Sequence, residues 1–391
     1  MNTKCFALAL LCVVAVNCLN ISVSTDDHVA FKIRNGKLPM RGANVGAWLV
    51  AEHWMSSDSN IWAGVPGNII NQGEYQLMKY LGHGEGDKRF DYHRKVWFNE
   101  SDVAEMAKFR LNAVRVPVGY WIVGFDKSGG GGSDDWKTFA PGGLQYLDQL
   151  IRVWARKYNI AVLVDLHATK GSQNGNEHSA PKNPGKSFFT AYQENVNNAL
   201  DAIEFLVNRY KNEPAYLGFG CINEPSGSTS ESGLKNFYTR AYDRIRATGS
   251  QHIVGVAPLL SQQGPWSSDW RNFFKPPQHQ NIIHEWHKYF IWGFEGQNEG
   301  QILNYVYNGL VNDIKAWQGN WLFIGEWSLA TNPSAPFNNR NQWNSFANGV
   351  IKAFNQAPGG WTFWSWKTSN DGGKNTWSMR SLLRLGLFPQ F

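Results

Sequence analysis

Eight short apolar runs, separated along most of the chain by amphipathic stretches, constrain the fold of this sequence more than any other feature. They are Arg41–Gly46, Asn112–Val118, Ile160–His167, Tyr216–Asn223, Gln251–Ala257, Asn281–His287, Trp321–Glu326 and Gly360–Trp366. The runs are β-rich and mostly lack strict apolar–polar alternation, as strands do when both faces are covered. The segments between them supply the cover. Val103, Met106 and Phe109 recur at helical period in Ser101–Phe109, and Leu147, Leu150, Ile151 and Trp154 share one side of Leu144–Tyr158. Ala191–Tyr210, Leu234–Ala247, Ile302–Trp317 and Gln342–Phe354 extend the pattern.

A closed barrel and an open doubly wound sheet both accommodate this order. No Gly-x-Gly-x-x-Gly follows the first run and no phosphate loop occurs, which counts against the open sheet. Polar residues gather where runs two, three, four, six, seven and eight end, the mouth at which a barrel assembles its site. The expected fold is therefore α/β, a single (β/α)8 TIM barrel with its active site at the C-terminal ends of the strands. The 391 residues suffice for one domain of that size. The glycines at 129–132 break a loop without dividing domains.

Residues 1–18 read as a signal peptide, with Lys4 as the positive start, Ala7–Val16 as the apolar stretch and cleavage near Cys18. That stretch is too short to span a bilayer, and nothing later is long and apolar enough. Residues 19–391 then form the catalytic domain, expected to be a monomer, secreted to the extracellular space or cell wall. Of Cys5, Cys12, Cys18 and Cys221, only Cys221 certainly survives cleavage, so no intrachain disulfide is expected and the core must carry stability. Asn99-Glu100-Ser101 is a glycosylation sequon, and Asn20-Ile21-Ser22 a weaker one. The formal charge of +6 is scattered, without a basic tail or stripe, and does not point to nucleic acid.

Two glutamates carry the functional signal. Glu224 ends the fourth run, in Phe219-Gly220-Cys221-Ile222-Asn223-Glu224-Pro225, and Glu326 ends the seventh, in Gly325-Glu326-Trp327. Paired carboxylates facing one cleft are what glycoside hydrolysis needs. A general acid keeps its proton until the glycosidic oxygen takes it, so Glu224 is expected to have a raised pKa, helped by a negative Glu326 nearby. Arg115, between Val114 and Val116, is the cation expected to hold Glu326 ionised; a buried structural salt bridge is the alternative. Asn223 can donate to a sugar hydroxyl. His287 can contact the nucleophile or a sugar hydroxyl and Tyr289 can position either, while a core hydrogen bond is the alternative for His167 and for His287. With 19 tryptophans, several beside polar motifs, flat rings are available to stack on sugars. Trp364 is the preferred floor, and strand alternation places Trp366 on the same face. His167, His284 and His287 do not form a close-spaced metal-ligand set, and neither Ser328 nor Ser365 lies in a nucleophile elbow.

In order and spacing these motifs resemble glycoside hydrolase family 5, especially the fungal-type exo-β-1,3-glucanases. The likeness rests on the stretch from Arg41 to Glu52, Asp165-Leu166-His167 with Gly171-Ser172-Gln173-Asn174-Gly175, Asn223-Glu224-Pro225, His287-x-Tyr289, Gly325-Glu326-Trp327 and Phe363-Trp364-Ser365-Trp366-Lys367-Thr368. It implies that Glu224 is the acid/base and Glu326 the nucleophile of a retaining enzyme releasing glucose from β-glucan, with no cofactor and no metal. Arg115, His167, Asn223, His287, Tyr289 and Trp364 match supporting positions. Glu52 resembles the residue that holds the non-reducing terminal glucose, and Tyr120, Trp121 and Trp292 resemble aromatics at the mouth. Ala168-Thr169-Lys170, the glycines at 129–132 and the polar segment Asn174–Lys186 depart from the family pattern and bear on the outer subsites. An endo-acting β-glucanase and a catalytically silent glucan-binding protein remain as alternatives.

Overall fold

The computed structural model describes residues 27–391, so the expected leader and Asn20 lie outside the described residues. Eight strands close into a barrel in sequence order: β1 (Met40–Asn44), β2 (Ala113–Gly119), β3 (Ala161–Ala168), β4 (Tyr216–Gly220), β5 (Ile253–Val256), β6 (Ile282–Phe290), β7 (Trp321–Thr331) and β8 (Gly360–Phe363). Every neighbouring pair is parallel, and β8 pairs back onto β1. All residues of β2 and β3 are buried, which is why those runs show no alternation.

The crossovers are amphipathic. Gln193–Tyr210, Glu231–Ala247 and Arg340–Phe354 bury one stripe each. Asn99 caps Glu100–Lys108, accepting from the Ser101 amide at 2.9 Å, while Asp102 reaches back to the Asn99 amide. The sequon asparagine thus also starts a helix. Glu74–Trp97 carries no clear apolar period, because it contains Gly82, Gly84 and Gly86 and breaks at Gly82 (φ 68°).

The two barrel ends differ chemically. At the N-terminal end the short helix Val29–Arg34 packs Val29, Ala30 and Ile33 onto Met40, Ala113, Leu163, Leu217, Ile253 and Phe323. That end is sealed by apolar contacts. At the other end Asn44, Arg115, Asp165, His167, Glu285 and His287 are buried polar groups. The register shifts at Val118/Gly119 and again at Trp286/His287 and Lys288/Phe290. Such bulges re-aim side chains, and here they lie beside the polar end.

Candidate active site

Arg115 on β2 organises the polar end. It donates through Nη1 to Glu326 Oε1 at 3.0 Å and Asn44 Oδ1 at 3.0 Å, and through Nη2 to Asn223 Oδ1 at 2.8 Å. Nη2 also pairs with Asp165 at 3.1 Å and Glu285 at 2.9 Å. Burial works against its charge, but Asp165, Glu285 and Glu326 outweigh that and hold the guanidinium protonated. Gly325 is required by this packing, since a Cβ there would lie 1.9 Å from Glu285 Oε1.

Asn223 and His167 orient each other. Because Asn223 Oδ1 accepts from Arg115, its Nδ2 faces His167 Nε2 at 3.5 Å. Nε2 is then the acceptor, and Nδ1–H donates to Asp165 Oδ2 at 2.9 Å. Burial, with the His178 and Arg115 charges, keeps the His167 ring neutral.

Glu285, His287 and Tyr289 recur every second residue of β6. His287 Nδ1 lies 2.7 Å from Glu224 Oε1 and Nε2 lies 3.0 Å from Glu285 Oε1. Tyr289 donates to Glu326 Oε2 at 2.9 Å. Burial opposes a charged imidazole, yet the Glu326 charge and the hydrogen bonds to Glu224 and Glu285 push His287 up to about 10. Glu224 shows the converse: burial raises it, but the His287 hydrogen bond and charge, with His178 and Arg115, bring it down to about 2. Glu326 is raised by burial, against His287 and Arg115. The expectation of a raised Glu224 is thereby corrected: the His287 hydrogen bond and charge hold Glu224 down, and His287 is the group pushed up.

Glu224 follows β4 in a left-handed conformation (φ 43°), which side chains other than glycine adopt with strain. One carboxylate oxygen of Glu224, one of Glu326 and a His287 nitrogen all lie within 4.8 Å of one another. The trio has the elements of a cation site, but with both His287 nitrogens facing carboxylates the ring is a proton donor. The arrangement fits acid–base chemistry better than metal ligation.

These groups line a cavity of about 860 Å³, together with Glu52, Trp54, His178, Trp292, Trp364 and Trp377. Trp364 stacks parallel to His167 at 5.4 Å (3° between planes). Trp366 does not share its face. β8 ends at Phe363, and Trp366 turns into the core to donate to Asp102 at 2.9 Å. Glu52 precedes the short helix His53–Ser56 without capping it. Its Oε2 accepts from Trp54 Nε1 at 2.9 Å, while Oε1 is buried without a hydrogen-bond partner among the described residues. Burial, and next the Glu177 charge, raise this carboxyl well above the usual range. Trp292, 64 % exposed, stands at the rim edge-on to Tyr289.

Tyr120 and Trp121 are placed elsewhere. Both are buried in a 3-10 turn after β2, and Trp121 lies flat on Phe139 at 3.6 Å, so neither reaches this cavity. Conversely, Asn44, Asp165, Glu285, His178, Trp54 and Trp377 join the site without having been singled out in the sequence. Glu285 carried a signal, two positions before His287 on one strand face. Trp377 follows β8 in irregular chain and carried none.

A closed parallel barrel that brings two glutamates, one within β7 and one just after β4, together over an aromatic-lined cavity defines a glycosidase-type enzyme. The family model described as Cellulase (glycosyl hydrolase family 5) matches residues 77–370, and the chain belongs to that family. It is 27 % identical to a glucan 1,3-beta-glucosidase of Schwanniomyces occidentalis, over 91 % of this chain and 88 % of that one. It is 28 % identical to a glucan 1,3-beta-glucosidase of Blumeria graminis, over 96 % and 92 %. The fold is similar to that of a rutinosidase from Aspergillus niger, with a TM-score of 0.73 and 16 % identity, over 90 % of this chain and 99 % of that one.

Proposed function

We propose that the protein is a retaining, exo-acting β-1,3-glucosidase that removes terminal glucose from β-glucan. The observation that carries this reading is the meeting of Glu224 and Glu326 within 4.8 Å across one cavity. Retaining enzymes hold their carboxyl groups about 5–5.5 Å apart, and inverting ones about 6.5–9.5 Å, to admit a water. The β-1,3 preference comes from the names of the relatives at 27 % and 28 % identity. Exo action is supported by Glu52, which lines the cavity and whose buried Oε1 has no hydrogen-bond partner among the described residues, an acceptor left for a terminal sugar hydroxyl.

In the first step Glu326 attacks the anomeric carbon while Glu224 gives a proton to the departing oxygen. The proton resting on His287 can supply it. That proton reaches Glu224 before the bond breaks: a bound sugar deepens the burial that raises Glu224, and the proton passes from His287 Nδ1 to Glu224 Oε1 across the 2.7 Å contact. Arg115 and Tyr289 hold Glu326 in place, and Trp364 forms the floor. In the second step Glu224 takes a proton from water, which displaces Glu326 and releases glucose in the β configuration. Cleavage of residues 1–18, secretion and a monomeric catalytic domain belong to the same reading.

The test is a purified-enzyme assay on laminarin, β-1,6-glucan, lichenan and cellulose, following product size and anomer together. Glucose as first product from laminarin supports the proposal. Longer oligosaccharides first indicate an endo enzyme, and no turnover on any glucan indicates a binding protein.

A further inference from the structure

The three departures from the family pattern, apart in sequence, meet in one place. Thr169 and Lys170, then Gly131 and Gly132, then Lys182 and Asn183 all line a second cavity of about 460 Å³. That volume is within the range of about 300–1,000 Å³ typical of pockets that hold small molecules. It shares no lining residue with the catalytic cavity, and the segment Asn174–Lys186 runs between the two. Asn176 and His178 line the catalytic side, Ala180 and Lys182 the other. Tyr120, which does not reach the catalytic cavity, lines this one beside Tyr75. Both are buried, 5 % and 6 % exposed, yet neither phenol makes a hydrogen bond among the described residues. Buried hydroxyls are costly unless water or a ligand pairs with them.

The charges on this wall cancel. Lys170 is held by Asp126 at 2.8 Å and Lys182 by Asp135 at 2.9 Å, while Glu194 offsets Lys186. Neither an anion nor a cation finds an excess of opposite charge. What remains is hydroxyl and amide groups beside rings: the two phenols, the Asn183 amide, Phe188 and Tyr192, the last 53 % exposed. That mixture suits a neutral sugar, whose C–H faces lie on rings while its hydroxyls bond the polar groups. We propose that this cavity is a second, non-catalytic glucan-binding site, an inference whose choice of ligand rests on β-glucan being the substrate. It holds a further stretch of polymer while the catalytic cavity works on a chain end. A polymer engaged at both sites gains affinity through effective concentration, and a disaccharide does not.

The experiment has a binding arm and a kinetic arm. Laminaritriose is titrated calorimetrically into Glu326→Gln, where turnover is silenced, and into the same protein carrying Tyr120→Phe and Tyr192→Ala. Two ligands per chain are expected in the first and one in the second. In the otherwise native enzyme, Tyr192→Ala should raise KM for laminarin about tenfold and leave laminaribiose kinetics unchanged. One ligand per chain in Glu326→Gln, or a laminarin KM that Tyr192→Ala leaves unaltered, overturns the second site, while native turnover of laminarin keeps the catalytic reading. An equal rise in KM on both substrates also overturns it, because Tyr192 would then act through the catalytic cavity. If laminaritriose binds nowhere and the native enzyme turns over neither substrate, the glucan reading falls and takes the second site with it.

Discussion

Replacing Arg115 by methionine removes the guanidinium that acts on four buried acidic side chains, Asp165, Glu285, Glu326 and Glu224. Methionine fills much of the same volume, so the change is mainly one of charge and hydrogen bonds. Asn44, Asn223 and Glu326 each lose a donor at 2.8–3.0 Å, and His287 remains as the cation in contact with the acids. Removing one partner of a buried ion pair typically destabilises by about 3–5 kcal/mol. With an unfolding entropy of about 2.1 cal/mol/K per residue, that corresponds to a fall in Tm of about 4–7 °C for a domain this size. The deficit should also depend on pH. Lowering the pH from about 8 to about 5 lets the stranded carboxyls take up protons, so the variant should recover part of its loss. Differential scanning calorimetry of both proteins across that range gives the comparison. A variant as stable as the native protein, or one with the same deficit at every pH, would refute the view that Arg115 works by neutralising these acids.

Other outcomes follow from the same geometry. The His287 imidazolium is held up to about 10, so its contribution to stability is complete below the ordinary histidine value of 6.5 and lost as pH rises toward 10. Native Tm should therefore decline over that interval, and His287→Asn should flatten the decline; equal slopes would contradict the assignment. Glu52→Ala should raise KM for laminari-oligosaccharides and lower kcat/KM about tenfold or more, while thermal unfolding changes little, because only the Trp54 indole loses a partner and a buried carboxyl oxygen without one is removed. Trp364→Ala should cost catalysis at least as heavily, and unlike Glu52→Ala it should also lower Tm, since it removes a ring stacked on His167.

The barrel was legible because its strands are covered on both faces and its helices on one, and these two periods survive in the order of residues. The strand ends were not. β4 stops at Gly220, before the glutamate it presents, and β6 runs on through two bulges to Phe290. Backbone register decides such endings, and neighbouring strands set it. Glu224 and Glu326 could be read from the chain because each ends an apolar run. The charge balance around them could not, since Asp165 meets Arg115 from the neighbouring strand β3 and Glu285 from across the barrel on β6. That balance reverses the expected direction of the Glu224 shift. Tyr120 and Trp121 mark a similar limit: a strand end tells that an aromatic residue is near the mouth, but the turn at Tyr120–Val123 decides that these two face inward.

The chemistry is tested most directly by trapping the intermediate with 2,4-dinitrophenyl 2-deoxy-2-fluoro-β-glucoside and locating the label by peptide mass spectrometry. A fluoroglucosyl ester on Glu326, formed with loss of turnover, is the predicted result. A label on another residue, or continued turnover of unmodified enzyme in excess reagent, would contradict the account.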